Sequence, residues 1–293
     1  MKRAFLLILI LAAVFSSCKT KKEENSGNAV KDDLGNLFEF SSAPERVISL
    51  APSITEMIYY IGAESKLIGV TKYCDYPPEA KGKQSVGGLL DPNLELIAEM
   101  KPDLILLTIE GNSQITYKSL TDLGYRVFVL NPRKVNDIIS SMDKLNEILK
   151  PQAGKTRTEN FKKEVESIKP KDTDRSTYAA FLSAKPLISF SDNTFIGDIF
   201  RTEGFSNIFG SEKLDYPGIY DEDLLLKNPD YIFFLADTAN TTKKIIETET
   251  SERFYGLKAY KEKRAIILDE NIFSRPGPRV TDALKKLVEI RRQ

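Results

Sequence analysis

Histidine and tryptophan are absent from this 293-residue sequence, and cysteine occurs twice, at Cys18 and Cys74. Without histidine there can be no Ser-His-Asp or Cys-His nucleophilic arrangement. Histidine-bearing zinc sites are excluded, and two cysteines cannot build a Cys₄ site. An excess of either charge is missing too, with 42 basic and 42 acidic side chains. That balance argues against nucleic acid, which wants a basic surface. No G-x-G-x-x-G fingerprint occurs. The segment PQAGKT (Pro151–Thr156) imitates the end of a phosphate-binding loop, but Leu149 stands where that pattern needs glycine, and no strand precedes it. No acidic cluster marks a strand end. The reading therefore assigns no catalytic residue, no resident metal and no permanent cofactor.

Long hydrophobic runs are scarce as well. The one unbroken run, Ala4 to Phe15, is shorter than the ~20 residues a membrane span needs. It follows the positive Met1-Lys2-Arg3 and precedes the small Ser16 and Ser17, the three-part layout of a secretory signal over residues 1–17. Cys18 comes next. That order resembles a bacterial lipoprotein signal, although Phe15 stands where leucine is usual. The resemblance implies cleavage before Cys18 and lipid on its sulfur. Cys74 then has no partner in the chain, and the fold cannot rest on disulfides. Removing Lys2 and Arg3 leaves 40 basic against 42 acidic side chains (42 − 2 = 40). About 275 residues remain, enough for one large or two medium domains. Residues 18–32 read as a polar tether.

What is present is an internal repeat. NLELIAEMKPDLILL (Asn93–Leu107) is helix, Pro-Asp, then apolar strand. YDEDLLLKNPDYIFFL (Tyr220–Leu235) has the same layout, shifted by 127 residues between Glu95 and Glu222 (222 − 95). Each unit runs on to another apolar strand, Val127–Leu130 in one and Ala265–Leu268 in the other. Upstream, the strand of RVISL (Arg46–Leu50) has its counterpart near TYAAFL (Thr177–Leu182). Each is followed by a helix that ends in glycine, at Gly62 and Gly204. Strand and helix alternating in this way predict α/β units with largely parallel strands. The fold class is thus two related α/β lobes, at 33–134 and 171–293. Between them, 135–170 forms a helical bridge. Apolar residues at 135, 138, 139, 142, 145, 148 and 149 mark one helix face, and Pro151 starts a second, mostly polar helix over Ala153–Ile168. That polar helix is the expected stiff strut.

Aromatic residues gather in turns. Tyr73 and Tyr76 stand beside the Pro-Pro turn of TKYCDYPPEA (Thr71–Ala80). Tyr216 and Tyr220 flank Pro217-Gly218. Phe273 and Arg275 stand beside the turn of NIFSRPGPR (Asn271–Arg279). A loop tyrosine is often only a lid on the core, but three such loops at comparable positions in two lobes point to a shared cleft. Ligands of α/β sheets bind beyond the carboxyl ends of strands and often between domains.

From about Asp33 onward the chain resembles the substrate-binding proteins of ATP-driven importers for cobalamin, ferric siderophores and haem, the class III substrate-binding proteins. RVISLAPSITE, KYCDYPPEA, NLELIAEMKPDLIL, NPDYIFF and SRPGPRV carry the resemblance. It covers nearly all of the mature chain and is strongest to the cobalamin-binding branch, through DYPP and SRPGPR. It implies two α/β lobes bridged by a single long helix, with little movement on binding. It also implies a cleft tyrosine at Tyr73, and tryptophans at the positions of Leu89, Thr108 and Tyr216, all three of which are replaced here. Tyr216 keeps an aromatic face. The ligand-binding set is Tyr73, Tyr76, Leu89, Thr108, Phe195, Tyr216, Phe273 and Arg275, with Arg275 facing an acidic ligand edge. One glutamate per lobe docks the dimeric permease in that family, and these fall on Glu95 and Glu222. The expected protein is a monomeric, lipid-anchored carrier in the periplasm or at the cell surface. Its transported ligand is cobalamin or another metal chelate, a ferric siderophore or haem included. Rival readings are an enzyme acting in the same cleft and a receptor unconnected with transport. Cys74 is either a buried small residue or a cleft-side thiol.

Overall fold

The computed structural model describes residues 29–168, 175–237, 250 and 252–292. The signal segment, Cys18 and the tether as far as Asn28 lie outside the described residues, as do 169 and 170 at the end of the bridge. The first described residues, Ala29–Lys31, are strand and fall within the stretch 18–32 that reads as a tether. Strand β1 (Ala29–Lys31) pairs antiparallel with β2 (Leu37–Glu39). Asp32, buried, closes the hairpin by accepting from the Leu34 and Asn36 amides at 3.0 and 2.7 Å.

The apolar runs of the first half fold into β3 (Val47–Ser49), β4 (Leu67–Val70), β5 (Gln84–Ser85), β6 (Leu104–Thr108) and β7 (Val127–Leu130). They form one parallel sheet in the order β5-β4-β3-β6-β7. The second half supplies β8 (Thr177–Phe181), the short antiparallel pair β9 (Ser183–Ala184) and β10 (Leu187–Ile188), then β11 (Ser206–Asn207), β12 (Gly218–Ile219), β13 (Tyr231–Ala236) and β14 (Ala265–Asp269). Of these, β11-β8-β13-β14 make a second parallel sheet in that order. The two orders superimpose as β4-β3-β6-β7 on β11-β8-β13-β14, so the sequence repeat is a repeat of topology. Every residue of β6, β7 and β13 is buried, which is why these strands read as continuous apolar runs instead of alternating ones.

Matching details carry the repeat down to single side chains. Helices α1 (Pro52–Ile61), α2 (Leu94–Met100), α3 (Gln114–Asp122), α4 (Val135–Leu149), α5 (Gly154–Ile168), α6 (Phe195–Thr202) and α7 (Asp221–Lys227) are named in chain order. Helix α1 starts with Pro52 in its first turn, where a missing N–H costs nothing, and stops at Gly62, φ 82°. Gly204, φ 78°, follows α6 one residue further on, after the capping Glu203. The seven-residue α2 and α7 each end on a left-handed residue, Lys101 and Asn228. After each comes Pro-Asp. Asp103 accepts from the Glu45 and Arg46 amides at 2.7 and 3.0 Å, and Asp230 from the Thr177 amide at 2.8 Å. Each aspartate thus pins the start of the first strand in its own sheet.

The strut is α5, which begins at Gly154 and runs about 22 Å. Pro151 lies before it instead of in its first turn. Lys150, φ 49°, turns the chain so that α5 packs back along α4, and Asn146 Nδ2 donates to Thr158 Oγ1 at 2.9 Å between them. Helix α5 touches α1 on one side and the C-terminal helix Val280–Arg291 on the other; α4 touches α1 and α6. The bridge is therefore two helices thick. Alternate residues of the strands face this layer. Leu104, Leu106, Phe128 and Leu130 from one sheet join Tyr178, Ala180, Phe233 and Leu235 from the other in one continuous core. The outer faces pack separately, with Ile105, Leu107, Val127 and Val129 in one cluster and Ala179, Phe181, Ile232 and Phe234 in another.

Candidate functional site

The carboxyl ends of the first sheet's strands converge on a cleft of about 330 Å³. Beyond β3 come Ala51, Pro52 and Ser53; beyond β4, Tyr73; beyond β5, Leu89; at the end of β6, Thr108, and beyond it Glu110 and Gly111; beyond β7, Asn131 and Pro132. The other half contributes Tyr216 ahead of β12, and Ser274, Arg275 and Pro276 after the one-turn helix Glu270–Phe273. The cleft therefore lies where the two repeats face each other.

Local hydrogen bonds hold its wall. Buried Asn112 accepts from the Thr108 amide at 2.9 Å and donates to the Leu50 and Leu89 carbonyls at 3.0 and 2.8 Å. One side chain thus ties together the segments that follow β3, β5 and β6. Thr108 Oγ1 accepts from the Gly111 amide at 3.0 Å. A Cβ at Gly111 would come within 2.7 Å of that oxygen, so any side chain there would displace the Thr108 hydroxyl.

Of the expected ligand residues, Tyr73, Leu89, Thr108, Tyr216 and Arg275 line this cleft together. Tyr73 and Tyr216 are 47% and 44% exposed. Burial and then the nearby Glu110 carboxylate push the Tyr216 phenol up to about 12. Three expected residues lie elsewhere. Phe195 opens α6 facing inward and is buried in the core. Phe273 is buried too, its ring centroid 5.9 Å from that of Phe200. Both are large apolar side chains beside the shared helical layer, where burial outweighs exposure to a cleft. Tyr76 sits under the Arg279 guanidinium, 4.3 Å from its ring centroid, and lines a separate pocket with Tyr59, Tyr60 and Pro278.

Arg275 also departs from expectation. Its Nη1 donates to Asp75 Oδ1 at 2.6 Å and to Glu56 Oε1 at 3.5 Å, and its Nη2 donates to Asn271 Oδ1 at 2.5 Å. It is committed to protein partners and does not present a free cation to an acidic ligand edge. Glu56, buried in α1, is held mainly by Arg279, whose Nε and Nη2 donate at 2.9 and 2.6 Å. Burial pushes the Glu56 carboxyl up against the pull of both arginines. The arginines' attraction and burial thus work in opposite directions on one carboxylate that links α1 to the C-terminal segment.

A second ionic group went unseen in the sequence. Arg133, after β7, donates from Nη1 to Glu110 Oε1 and from Nη2 to Asp215 Oδ2, both at 2.7 Å. It also donates to the Asn193 carbonyl at 2.8 Å. Arg133 thereby crosses from the five-stranded half to the four-stranded half beside the cleft. Nothing local in the sequence marks it, apart from a cation following a buried strand in NPRK (Asn131–Lys134). Cys74 is buried between the hydroxyls of Thr55 and Thr71, each 3.2 Å from its sulfur, and burial raises its thiol. It is the small core residue of the two alternatives. Glu95 and Glu222 are exposed, each second in its helix.

A sheet pair of this topology, joined by helices and cleft at the strands' carboxyl ends, defines a bilobal binding protein. Comparison with known proteins agrees. The periplasmic binding protein family matches residues 47–272, and this chain belongs to it. The vitamin B12-binding protein of Vibrio cholerae is 28% identical over 248 residues, covering 83% of this chain and 87% of the relative. The vitamin B12-binding protein of Yersinia pestis is 28% identical over 256 residues, covering 85% and 87%. The crystal structure of the periplasmic vitamin B12-binding protein of Vibrio cholerae superimposes with a TM-score of 0.75 at 26% identity, covering 84% of this chain and 96% of that one. A periplasmic haem-binding protein in complex with two haems shares the fold, with a TM-score of 0.74 at 18% identity over 85% and 98% of the chains. The family is one of periplasmic binding proteins and not of enzymes. No helix among the described residues is long and apolar enough to cross a membrane.

Proposed function

We propose that the protein captures cobalamin or a closely related metal chelate and hands it to an ABC permease. The observation that carries this reading is the pairing of Tyr73 and Tyr216, one from each repeat, both half-exposed in a cleft that also holds Leu89 and Thr108. Flat apolar and aromatic walls suit a macrocycle gripped by area instead of by a metal bond. A volume near 330 Å³ stands at the low end for small-molecule pockets, so a bulky chelate seats one side and leaves the rest outside. The 26–28% identity to vitamin B12-binding proteins over most of the chain supports the same ligand. Haem is the weaker reading, because the haem-binding neighbour shares 18% identity with this chain against 26–28% for the vitamin B12-binding proteins.

In this reading residues 33–134 and 171–293 are the two lobes and 135–170 the bridge. Glu95 and Glu222, exposed at equivalent points of the repeat, are the permease contacts and would steer docking by charge. Lipid on Cys18 would hold a monomeric carrier at the membrane, raising its concentration near the transporter. Calorimetric titration of the purified protein with cobalamin, haem and ferric siderophores tests the proposal. One-to-one binding of cobalamin tighter than the other ligands is expected; no heat with cobalamin alongside saturable binding of haem or a siderophore would replace it.

A further inference from the structure

The charges around the cleft are distributed unevenly. On one side two guanidiniums, Arg275 and Arg279, meet two carboxylates, Glu56 and Asp75, and the group is neutral. On the other, the single guanidinium of Arg133 meets two carboxylates, Glu110 and Asp215, leaving one negative charge in excess. Glu110 is the carboxylate on the cleft wall, and only its Oε1 is engaged by Arg133. The turn from Thr108 to Asn112 fixes where it stands. Lys72 is exposed, its amine 5.2 Å from the Tyr73 ring centroid; solvent and salt screen such a charge.

We propose that Glu110 is a specificity residue: its second carboxylate oxygen accepts from neutral N–H groups on the edge of the bound chelate, and its charge rejects chelates edged with carboxylates or phenolates. This rests on the chelate-binding reading of the cleft. An anionic edge entering the site meets Glu110 with no free guanidinium to offset it, since Arg275 and Arg133 are already paired among the described residues. Like charges brought together in a partly desolvated site oppose binding strongly. An amide edge instead gains a charge-assisted hydrogen bond.

The test compares two forms of one macrocycle. Cobalamin, with its peripheral amides intact, and the same corrinoid with those amides hydrolysed to carboxylates are titrated calorimetrically into the wild-type protein and into Glu110→Gln. The wild-type protein should prefer the amide form by about tenfold or more. Glu110→Gln should shrink that preference several-fold, chiefly by binding the carboxylate form more tightly. A gain of affinity cannot come from misfolding. An unchanged preference in Glu110→Gln overturns the role of Glu110 while leaving the cleft reading intact. If neither form binds the wild-type protein, the cleft reading falls and takes this inference with it.

Discussion

Glu203 offers a sharp check on the energetics of the second half. It caps α6, is wholly buried, and neither carboxylate oxygen has a hydrogen-bond partner among the described residues. Arg291 donates instead to the Glu203 backbone carbonyl at 2.6 Å and lies over the Phe205 ring. Burial pushes the Glu203 carboxyl from 4.5 to about 7, with Arg291 pulling the other way. In the unfolded chain the group ionises near 4.5; in the folded chain it keeps its proton to about 7. Folding therefore takes up a proton between those values. Stability falls as pH rises through that window and levels off above it. The gap corresponds to about 3 kcal/mol at neutral pH. Glu203→Gln removes the ionisation while keeping the shape. Urea unfolding of both proteins from about pH 4.5 to 8, at constant ionic strength, should show the variant gaining on the wild type by up to about 3 kcal/mol across this range. Other carboxylates titrate in both proteins and cancel in the difference. Stability curves that stay parallel from pH 4.5 to 8 would refute the reasoning.

Three further outcomes follow from the geometry. Arg279→Ala strips the main partner from buried Glu56 and should cost about 3–5 kcal/mol by chemical denaturation, much of it recovered when Glu56→Gln is added. Tyr73→Ala with Tyr216→Ala removes the two aromatic walls and should weaken chelate binding at least tenfold in calorimetry, at about 1–2 kcal/mol for each ring, with the melting temperature little changed. Glu95→Ala with Glu222→Ala should leave chelate affinity within about twofold of wild type but abolish uptake by reconstituted permease; uptake at the wild-type rate would remove these two glutamates from docking.

Much of this architecture was legible because it repeats and because buried parallel strands leave apolar runs. RVISL and TYAAFL became first strands of their sheets, and the repeated Pro-Asp pairs mark the two helix-to-strand turns, where the structure shows the aspartates in equivalent roles. The aromatic loops were read less well. Tyr73 and Tyr216 reach the cleft, yet Phe273 lies in the core a few residues from Arg275 on the wall. A sequence shows that an aromatic residue is near a turn, but not which way it points. The ionic groups were invisible for a different reason. Glu56 and Arg279 are separated by 223 residues, and Arg133 and Asp215 by 82, so no local pattern announces either pair. Arg275 lines the cleft, but its protein partners were not legible in the sequence, and those partners decide what it can offer a ligand. The ends of α2 and α7 at Lys101 and Asn228, by contrast, were legible, because the residue before a proline avoids the right-handed helical region.

The inner faces of both sheets dissolve into one apolar mass, with α4 and α5 running through it. Such a molecule cannot be divided at its duplication point. A fragment carrying either repeat alone would bare half of a shared interior to water and lose the backing that shapes its loops.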